Sequence, residues 1–261
     1  MNKDFFITEE NAEEYAIKIS KFIQEKVKEA NAKGVIFGMS GGIDCSLVAA
    51  LCAKAEVETL LVMMPYGDSM ERTKDSKDAL ELIKKFDLDY TTVDITETVD
   101  ALEDSLKKSC KTLKGIEIEL GSLALSNIRP RVRMTTLYAL GQSLGYMVVG
   151  TGNLSERTVG YSTKWGDSGH DFNPIGMLTK TEVRTLAKYL EVPTSIIEKA
   201  PSAGLWAGQT DEEEMGVTYR EIDDYILTGG KNISKEAFEK IKRKEEINKH
   251  KLEMPPIWNL K

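Results

Sequence analysis

Apolar residues along the chain follow two kinds of pattern. Helical spacing predicts an opening helix from Ala12 to Val27, for which Thr8 is the expected N-cap. Four short segments between helical patterns predict strands, and most of them are continuous apolar runs of the kind found in strands buried on both faces. These segments lie at 34–39, 59–64, 90–94 and 147–150. Strands that alternate with helices indicate right-handed crossovers and a parallel sheet.

The predicted fold class is therefore α/β, a three-layer, doubly wound, Rossmann-like parallel sheet with a helical C-terminal part. We expect a single domain over 1–261, in which 1–190 form the α/β nucleotide-binding core and 191–261 form the helical part. Within the core, Pro130 is expected to kink or restart a long helical pattern, because proline cannot donate the intrahelical hydrogen bond.

Helix-start signals mark two later helices. Thr179 and Glu182 have the spacing of a capping box, and Ser234 can cap a last charged helix. The acidic run 211–214 is interpreted as a solvated loop.

Composition narrows the possible functions. The 261 residues carry 35 Lys and Arg against 42 Asp and Glu, a net charge of −7, which argues against broad binding of nucleic acid. No stretch approaches the roughly 20 apolar residues of a membrane helix, so we expect a cytoplasmic protein without a membrane partner. Three widely spaced Cys and two His exclude a thiolate or multi-histidine zinc site. A metal ion would have carboxylate ligands, which favours Mg²⁺.

A glycine-rich turn follows the first predicted strand and opens a helix. Its sequence is Gly38-Met39-Ser40-Gly41-Gly42-Ile43-Asp44-Cys45. Such turns let backbone N–H groups face a phosphate. The turn contains no Lys for a Walker A motif and lacks the Gly-x-Gly-x-x-Gly dinucleotide pattern. The residues alone leave open a plain strand-to-helix turn in which Asp44 favours the helix dipole.

The string Ser40-Gly41-Gly42-Ile43-Asp44 resembles the pyrophosphate loop of the ATP pyrophosphatases, although Cys45 stands where that pattern has a second Ser. The resemblance implies an adenine nucleotide alpha hydrolase-like fold and cleavage of ATP between the α and β phosphates. It also implies that residues 38–45 contact ATP.

Downstream blocks narrow the resemblance to one family. They lie at 150–157, 160–167, 171–174, 178–180, 199–203 and 221–225. In this order they resemble the ammonia-dependent NAD⁺ synthetases, from about residue 34 to 251. The resemblance implies that ATP adenylates the nicotinate carboxylate of deamido-NAD⁺ with release of pyrophosphate. Ammonia then attacks, which yields NAD⁺ and AMP.

The family pattern implies roles for individual residues of the ATP side. Asp44 and Glu156 match metal positions, which implies Mg²⁺ as a cofactor. Lys180 matches a lysine on the ATP phosphates, and Thr151 and Ser202 match further ATP contacts. Asp44, Glu156, Lys180 and Asp171 are the expected catalytic residues.

The deamido-NAD⁺ side is implied by other positions. Lys164 and Asp171 match positions around the dinucleotide, and His250 and Lys251 match a C-terminal pair that contacts it. Arg131 matches a residue that reaches the substrate of the other subunit, which implies a homodimer. Considered without the resemblance, Arg131 would be a solvated helix residue and the His250–Lys251 pair a surface feature.

Glutamine-using relatives carry an amidase domain with a catalytic Cys. This chain offers neither the length nor a suitable Cys and His arrangement, so free ammonia, or ammonia from a separate protein, is the expected nitrogen source.

Two alternative functions stay open at this stage. Another adenylating enzyme of the superfamily, for example a tRNA-thiolating or GMP-forming one, would normally show paired cysteines with a basic face, or a dimerisation domain. A nucleotide-binding regulatory module without chemistry is the other alternative. Retention of Asp44, Glu156, Lys164, Asp171 and Lys180 argues against it.

Overall fold

The computed structural model describes residues 6–67, 70–109, 118–199 and 210–258. Four strands lie at Gly34–Gly38 (β1), Thr59–Met63 (β2), Asp89–Thr92 (β3) and Tyr146–Val148 (β4). The helices are α1 (Ala12–Glu29), α2 (Ile43–Lys54), α3 (Met70–Phe86), α4 (Thr96–Ser109), α5 (Ser122–Ser126), α6 (Ile128–Leu144), α7 (Leu154–Val159), α8 (Lys180–Tyr189), α9 (Thr194–Ile197), α10 (Asp211–Met215), α11 (Tyr219–Thr228) and α12 (Lys235–Asn248), followed by a 3₁₀ turn at Lys249–Lys251.

The four strands form one parallel sheet in the order β3-β2-β1-β4. From β1 the chain moves outward through β2 to β3 and then returns to the opposite side of β1 as β4. Val149, just after β4, bridges to Phe172 on the side away from β1, so the chain leaves β1 and β4 in opposite directions. Open α/β sheets bind ligands in the crevice at the carboxyl ends of such strands. The predicted doubly wound α/β fold class is confirmed.

Side chains of adjacent residues in β1 supply two different cores, because successive residues of a strand point to opposite faces. Val35 and Phe37 pack with α1, α2 and α8 on one face. Ile36 packs on the other face with Val148 and with residues of α4 and α6. Nearly all of α2 is buried, which explains why its apolar residues show no single stripe.

A third apolar cluster joins α7 to the C-terminal helices α10, α11 and α12. Leu154, Met215, Ile222 and Ile241 are among its buried residues. Because α7 follows β4 directly, this cluster connects the C-terminal helices to the carboxyl edge of the sheet.

Two expectations about helix starts need correction or refinement. The N-cap of α1 is Asn11, not Thr8, because 9–11 form a turn in which the Asn11 side chain accepts from the Thr8 N–H. Pro130 does mark a helix restart, but the break lies at Asn127. Pro130 itself occupies the first turn of α6, where its missing N–H has no intrahelical partner to lose.

The capping predictions at Thr179 and Ser234 are confirmed, because both side chains accept from the backbone N–H three residues on. Within the described residues, no helix combines the length and apolar character needed to cross a membrane.

Candidate functional site

The glycine-rich turn after β1 lies at the switch point of the sheet. Gly41 has φ +78°, a left-handed conformation that glycine adopts without strain, and Gly42 is the N-cap of α2. The first N–H groups of α2 therefore face the crevice beside β4 and can receive an anion.

Cys45 fits this turn without exposing its thiol. Its Sγ lies 3.1 Å from the carbonyl oxygen of Gly42 and 3.3 Å from the hydroxyl of Ser40, and the residue is buried. A serine would make the same two contacts, so the departure from the family pattern leaves the geometry of the turn intact. Cys52 is likewise a buried free thiol, and Cys110 lies outside the described residues.

Three expected catalytic side chains meet at one point of the crevice. The Nζ atom of Lys180 lies 2.6 Å from Oδ2 of Asp44 and 3.3 Å from Oε1 of Glu156. The Lys180 side chain is 2% exposed, whereas both carboxylates are partly exposed and line the crevice. We call these three residues the Lys180 cluster.

Capping interactions place the members of the Lys180 cluster. Asn153, the N-cap of α7, accepts from the Glu156 N–H, and its own N–H donates to Glu156 Oε2. The Asn153 amide Nδ2 also donates to Oδ1 of Asp44 at 2.8 Å. Asn153 thus connects the loop after β4 with the loop after β1. Lys180 is the first residue of α8, behind the Thr179 cap.

Burial and charge shift the pKa values of this cluster. Burial raises the pKa of Glu156, the negative charge of Asp44 raises it further, and Lys180 opposes both, which leaves the pKa at about 7. Burial would lower the pKa of Lys180, but Asp44 and Glu156 outweigh that effect and raise it above its ordinary value. Lys180 therefore stays charged at neutral pH.

A second layer of polar groups supports the cluster from the C-terminal helices. The hydroxyl of Tyr219 lies 2.8 Å from Asp211 Oδ2 and 3.2 Å from Glu156 Oε1, and the Tyr219 ring lies 4.6 Å from Lys180 Nζ. The Tyr161 hydroxyl lies 3.0 Å from the other oxygen of Asp211. Burial raises the pKa of Tyr219 and that of Asp211.

The interpretation of 211–214 as a solvated loop is wrong in its secondary structure and for Asp211, although Glu213 and Glu214 are exposed. The segment forms the start of α10, and Asp211 is 4% exposed. An acidic run resembles a solvated surface in sequence, but here the phenols of Tyr161 and Tyr219 satisfy the buried carboxylate.

The basic residues expected at the dinucleotide gather around the segment 160–164. Arg131 Nε donates to the Lys164 carbonyl at 3.3 Å, and Lys164 Nζ donates to the His250 carbonyl at 2.6 Å. Lys251 Nζ donates to the carbonyls of Gly160 and Ser162. We call Arg131, Lys164, His250 and Lys251 the basic group. Among the described residues, none of its cations has a carboxylate within ion-pair distance.

Asp171 lies apart from the basic group, beside β4. Its Oδ2 accepts from the Val148 N–H at 2.7 Å, and its Oδ1 accepts from the Tyr138 hydroxyl at 3.0 Å. Both bonds fix an exposed carboxylate at the edge of the crevice. Thr151 is half-buried in the loop after β4, and Ser202 lies outside the described residues.

Sequence reasoning missed several residues around the cluster. Asn153 carried a readable signal, since Asn153 and Glu156 have capping-box spacing before a helix. Tyr219 and Asp211 carried none, because their contacts join segments that are distant in sequence.

No group of three or more His, Cys, Asp or Glu side chains in the described ranges is arranged as a metal site. Asp44 and Glu156 provide two converging carboxylates. Carboxylate oxygens suit Mg²⁺, which usually takes one or two of them together with phosphate oxygens. The donor set therefore fits Mg²⁺ bound together with a nucleotide.

Comparisons with known structures agree with this fold and crevice. A structure described as an NMN synthetase from Francisella tularensis superposes with a TM-score of 0.87 at 36% identity, over 98% of this chain and all of that one. An NH₃-dependent NAD synthetase from Campylobacter jejuni gives a TM-score of 0.76 at 32% identity, over 95% of this chain and 99% of the other.

Relatives identified by their sequences belong to the same group of proteins as the structural neighbours. The NH(3)-dependent NAD(+) synthetase of Carboxydothermus hydrogenoformans is 46% identical over 248 residues, which cover 95% of this chain and 98% of that protein. The enzyme of the same name from Archaeoglobus fulgidus is 40% identical over 95% of this chain and 97% of that protein. A family model described as NAD synthase matches residues 15–255. The chain therefore belongs to the NAD synthase family, to which it is matched over residues 15–255.

Proposed function

We propose that this protein converts deamido-NAD⁺ to NAD⁺ by adenylating its nicotinate carboxylate with ATP and admitting ammonia to the adenylate. Pyrophosphate leaves in the first step and AMP in the second. The observation that carries this proposal is the convergence of Asp44, Glu156 and Lys180 beside the glycine-rich turn. A lysine and helix N–H donors can stabilise the charge that develops when a triphosphate is cleaved at its α phosphorus, and two carboxylates can hold the accompanying Mg²⁺.

On this proposal the residues of the turn, 38–45, bind the ATP phosphates together with Lys180, and Thr151 and Ser202 make further contacts with ATP. Lys180 neutralises negative charge that develops on the departing pyrophosphate. Its pairing with two carboxylates keeps it protonated and fixed, so no rearrangement of solvent is needed during the reaction.

We assign Asp44 and Glu156 as the residues that would hold Mg²⁺. The bound ion would neutralise further charge on the phosphates. Their partial exposure toward the crevice leaves both carboxylates accessible to an ion that arrives with ATP.

The basic group would receive the phosphates of the dinucleotide. Lys164 and Lys251 donate to backbone carbonyls, and neither has a carboxylate within ion-pair distance among the described residues, although the charge of Asp167 acts on Lys251 from a greater distance. Their positive charge is therefore available to an anionic substrate. Asp171, held by Val148 and Tyr138, would orient the nicotinate half.

A second candidate substrate comes from one of the structural relatives. The Francisella tularensis structure is described as an NMN synthetase, which supports nicotinic acid mononucleotide as an alternative acceptor of ammonia. The chemistry at the Lys180 cluster would be the same, because both substrates present a nicotinate carboxylate.

One assay tests the reaction and separates the two substrates. The protein is incubated with ATP, Mg²⁺ and ammonium chloride, and with either deamido-NAD⁺ or nicotinic acid mononucleotide. We expect NAD⁺ and AMP in equal amounts from the dinucleotide, and a kcat/KM at least tenfold lower for the mononucleotide. The reverse preference would transfer the proposal to the mononucleotide. No amide product from either substrate, in a folded protein that binds ATP, would refute it.

We also propose a homodimer in which Arg131 serves the site of the other subunit. The D44N and R131A variants are unfolded together, refolded as a mixture and assayed at deamido-NAD⁺ well below the wild-type KM, where each variant alone should be weakly active. If the site is shared, mixed dimers contain one site with both substitutions and one intact site, so activity recovers toward a quarter of the wild-type value. A monomer at assay concentration, or no recovery in mixed dimers, contradicts the shared site.

A further inference from the structure

A buried carboxylate on α11 joins the two helices that carry the catalytic side chains. Asp223 is 4% exposed, and its Oδ2 accepts from both the N–H of Thr181, at 2.9 Å, and the Thr181 hydroxyl, at 2.6 Å. Its Oδ1 accepts from the hydroxyl of Ser155. Thr181 lies in the first turn of α8 and Ser155 in the first turn of α7.

The two partners of Asp223 are the immediate neighbours of catalytic candidates. Ser155 precedes Glu156, and Thr181 follows Lys180. The Ser155 hydroxyl also accepts from the Lys180 N–H at 2.9 Å. A closed set of hydrogen bonds therefore links Asp223, Ser155 and the backbone of 180–181. It leaves the Glu156 carboxylate partly exposed, with the buried Lys180 Nζ 3.3 Å from its Oε1.

This arrangement satisfies groups that would otherwise be costly to bury. The first N–H groups of a helix have no intrahelical acceptor, and in α8 those of Lys180 and Thr181 are bound by Ser155 and Asp223. A carboxylate beside a helix N-terminus is also favoured by the helix dipole. Hydrogen bonds to an ionised acceptor are about twice as strong as neutral ones.

We propose that Asp223 is a positioning residue, which locks α7 to α8 so that Glu156 and Lys180 keep the separation needed for turnover. The proposal rests on the proposed function, because it assigns both side chains to ATP activation. Asp223 itself touches neither reactant. It acts through Ser155 and Thr181, and a displacement of about 1 Å at such a site can reduce turnover on the order of 100-fold.

The first test compares two neighbouring aspartates of α11. D223N keeps the shape of the side chain but replaces one acceptor oxygen with a donor. D224N is the matched control, because the neighbouring Asp224 side chain is hydrogen-bonded to Thr228, the last residue of α11, and to Asn232, which follows it. We expect D223N to lower kcat at least tenfold with KM for ATP within about threefold of wild type. D224N should stay within twofold in both.

A second readout needs no substrate. In the substrate-free protein, hydrogen exchange at the amides of Lys180 and Thr181 should be at least tenfold faster in D223N than in wild type, and unchanged in D224N. A mainly structural loss would instead raise exchange throughout the core and lower the melting temperature in proportion to the loss of kcat.

Substitutions at Thr181 keep the test decisive if D223N fails to fold. T181V has nearly the same shape but loses the hydroxyl bond to Asp223, whereas T181S retains that bond. We expect T181V to lower kcat about threefold or more, with KM near wild type, and T181S to restore it.

Two results would overturn the positioning role. One is a kcat of D223N within twofold of that of D224N or, if D223N does not fold, a kcat of T181V within twofold of that of T181S. The other is reduced turnover without faster exchange at the 180–181 amides. Failure of the proposed function is distinguishable, because wild-type protein would then form no amide product. The exchange experiment would still report on the contacts of Asp223.

Discussion

The Lys180 cluster and the basic group differ in whether their cations are paired with carboxylates. Lys180 is buried between two carboxylates of the protein, whereas Lys251 donates to backbone carbonyls and Lys164 donates to the His250 carbonyl and lies 3.4 Å from the His250 ring Nδ1. The first arrangement fixes a charge precisely and makes it part of the folded core. The second leaves positive charge near the surface for an anionic ligand. Substitutions in the first region should therefore affect stability and turnover, and those in the second mainly substrate affinity.

The largest effect is expected from K180M. Removing the ammonium leaves two facing carboxylates at a buried position, so the free energy of unfolding should fall by about 3 kcal/mol and turnover should be lost. Urea unfolding monitored by circular dichroism measures the first effect. K18M is the control, because Lys18 forms an exposed ion pair with Glu14 and its loss should leave stability unchanged. Equal losses in the two variants would remove the distinction between buried and exposed cations.

D44N should affect chemistry more than binding. Asn can still accept from Asn153 at this position, so the loop geometry is retained while the negative charge is lost. We expect kcat to fall about 100-fold to 1,000-fold, with the dissociation constant for deamido-NAD⁺ within about threefold of wild type. Isothermal titration measures the latter, and D104N on the exposed face of α4 is the control. Weakened dinucleotide binding with normal turnover would reverse the assignment of the two regions.

The raised pKa of Glu156 predicts a pH dependence of stability that originates in the Lys180 cluster. Between about pH 4.5 and pH 7 the folded protein binds more protons at Glu156 than the unfolded chain does. Its free energy of unfolding should therefore fall as pH rises through this window, by up to about 1.4 kcal/mol per pH unit from this group. Above pH 7 the contribution is constant.

Urea titrations of wild type and E156Q at pH 5, 6, 7 and 8 isolate this contribution. The difference in unfolding free energy between the two proteins should change between pH 5 and pH 7 and then level off. Parallel curves over the whole range would show that Glu156 is ionised at its ordinary pKa, and the strong coupling within the cluster would be refuted.

The same comparison explains which parts of the molecule could be predicted from its sequence. The parallel sheet could be predicted, because short, mainly apolar runs such as 34–39 and 59–64 alternate with helical patterns. The caps at Thr179 and Ser234 could also be predicted, because an N-cap side chain interacts with a backbone N–H only three residues away. The expected N-cap at Thr8 was wrong, because Asn11 is also a residue type that caps helices and local sequence does not decide between such positions.

Long-range polar contacts could not be predicted in this way. Asp211 meets Tyr161 across 50 residues, and Asp223 meets Ser155 across 68. Periodicity predicts which face of an element is apolar, but it does not predict which hydroxyl will donate a hydrogen bond to a given buried carboxylate. Motif resemblance identified Asp44, Glu156 and Lys180 as a group. Of the residues that hold them in place, Asn153 and Thr179 have capping-box spacing in the sequence, whereas Asp211, Tyr219 and Asp223 are recognised only in the folded chain.

The smallest effect on stability is expected from R131A, and it tests the basic group directly. Arg131 is exposed and donates only to backbone carbonyls, so the free energy of unfolding should change by less than about 0.5 kcal/mol. If its charge serves the dinucleotide, KM for deamido-NAD⁺ should rise about tenfold while KM for ATP stays constant. A phosphate contact made by a guanidinium is often bidentate, so R131K should recover only part of the affinity. Steady-state kinetics over both substrates separates these outcomes. An unchanged KM for deamido-NAD⁺ in R131A would return Arg131 to an ordinary solvated position on α6, and the substrate would then depend on Lys164 and Lys251 alone.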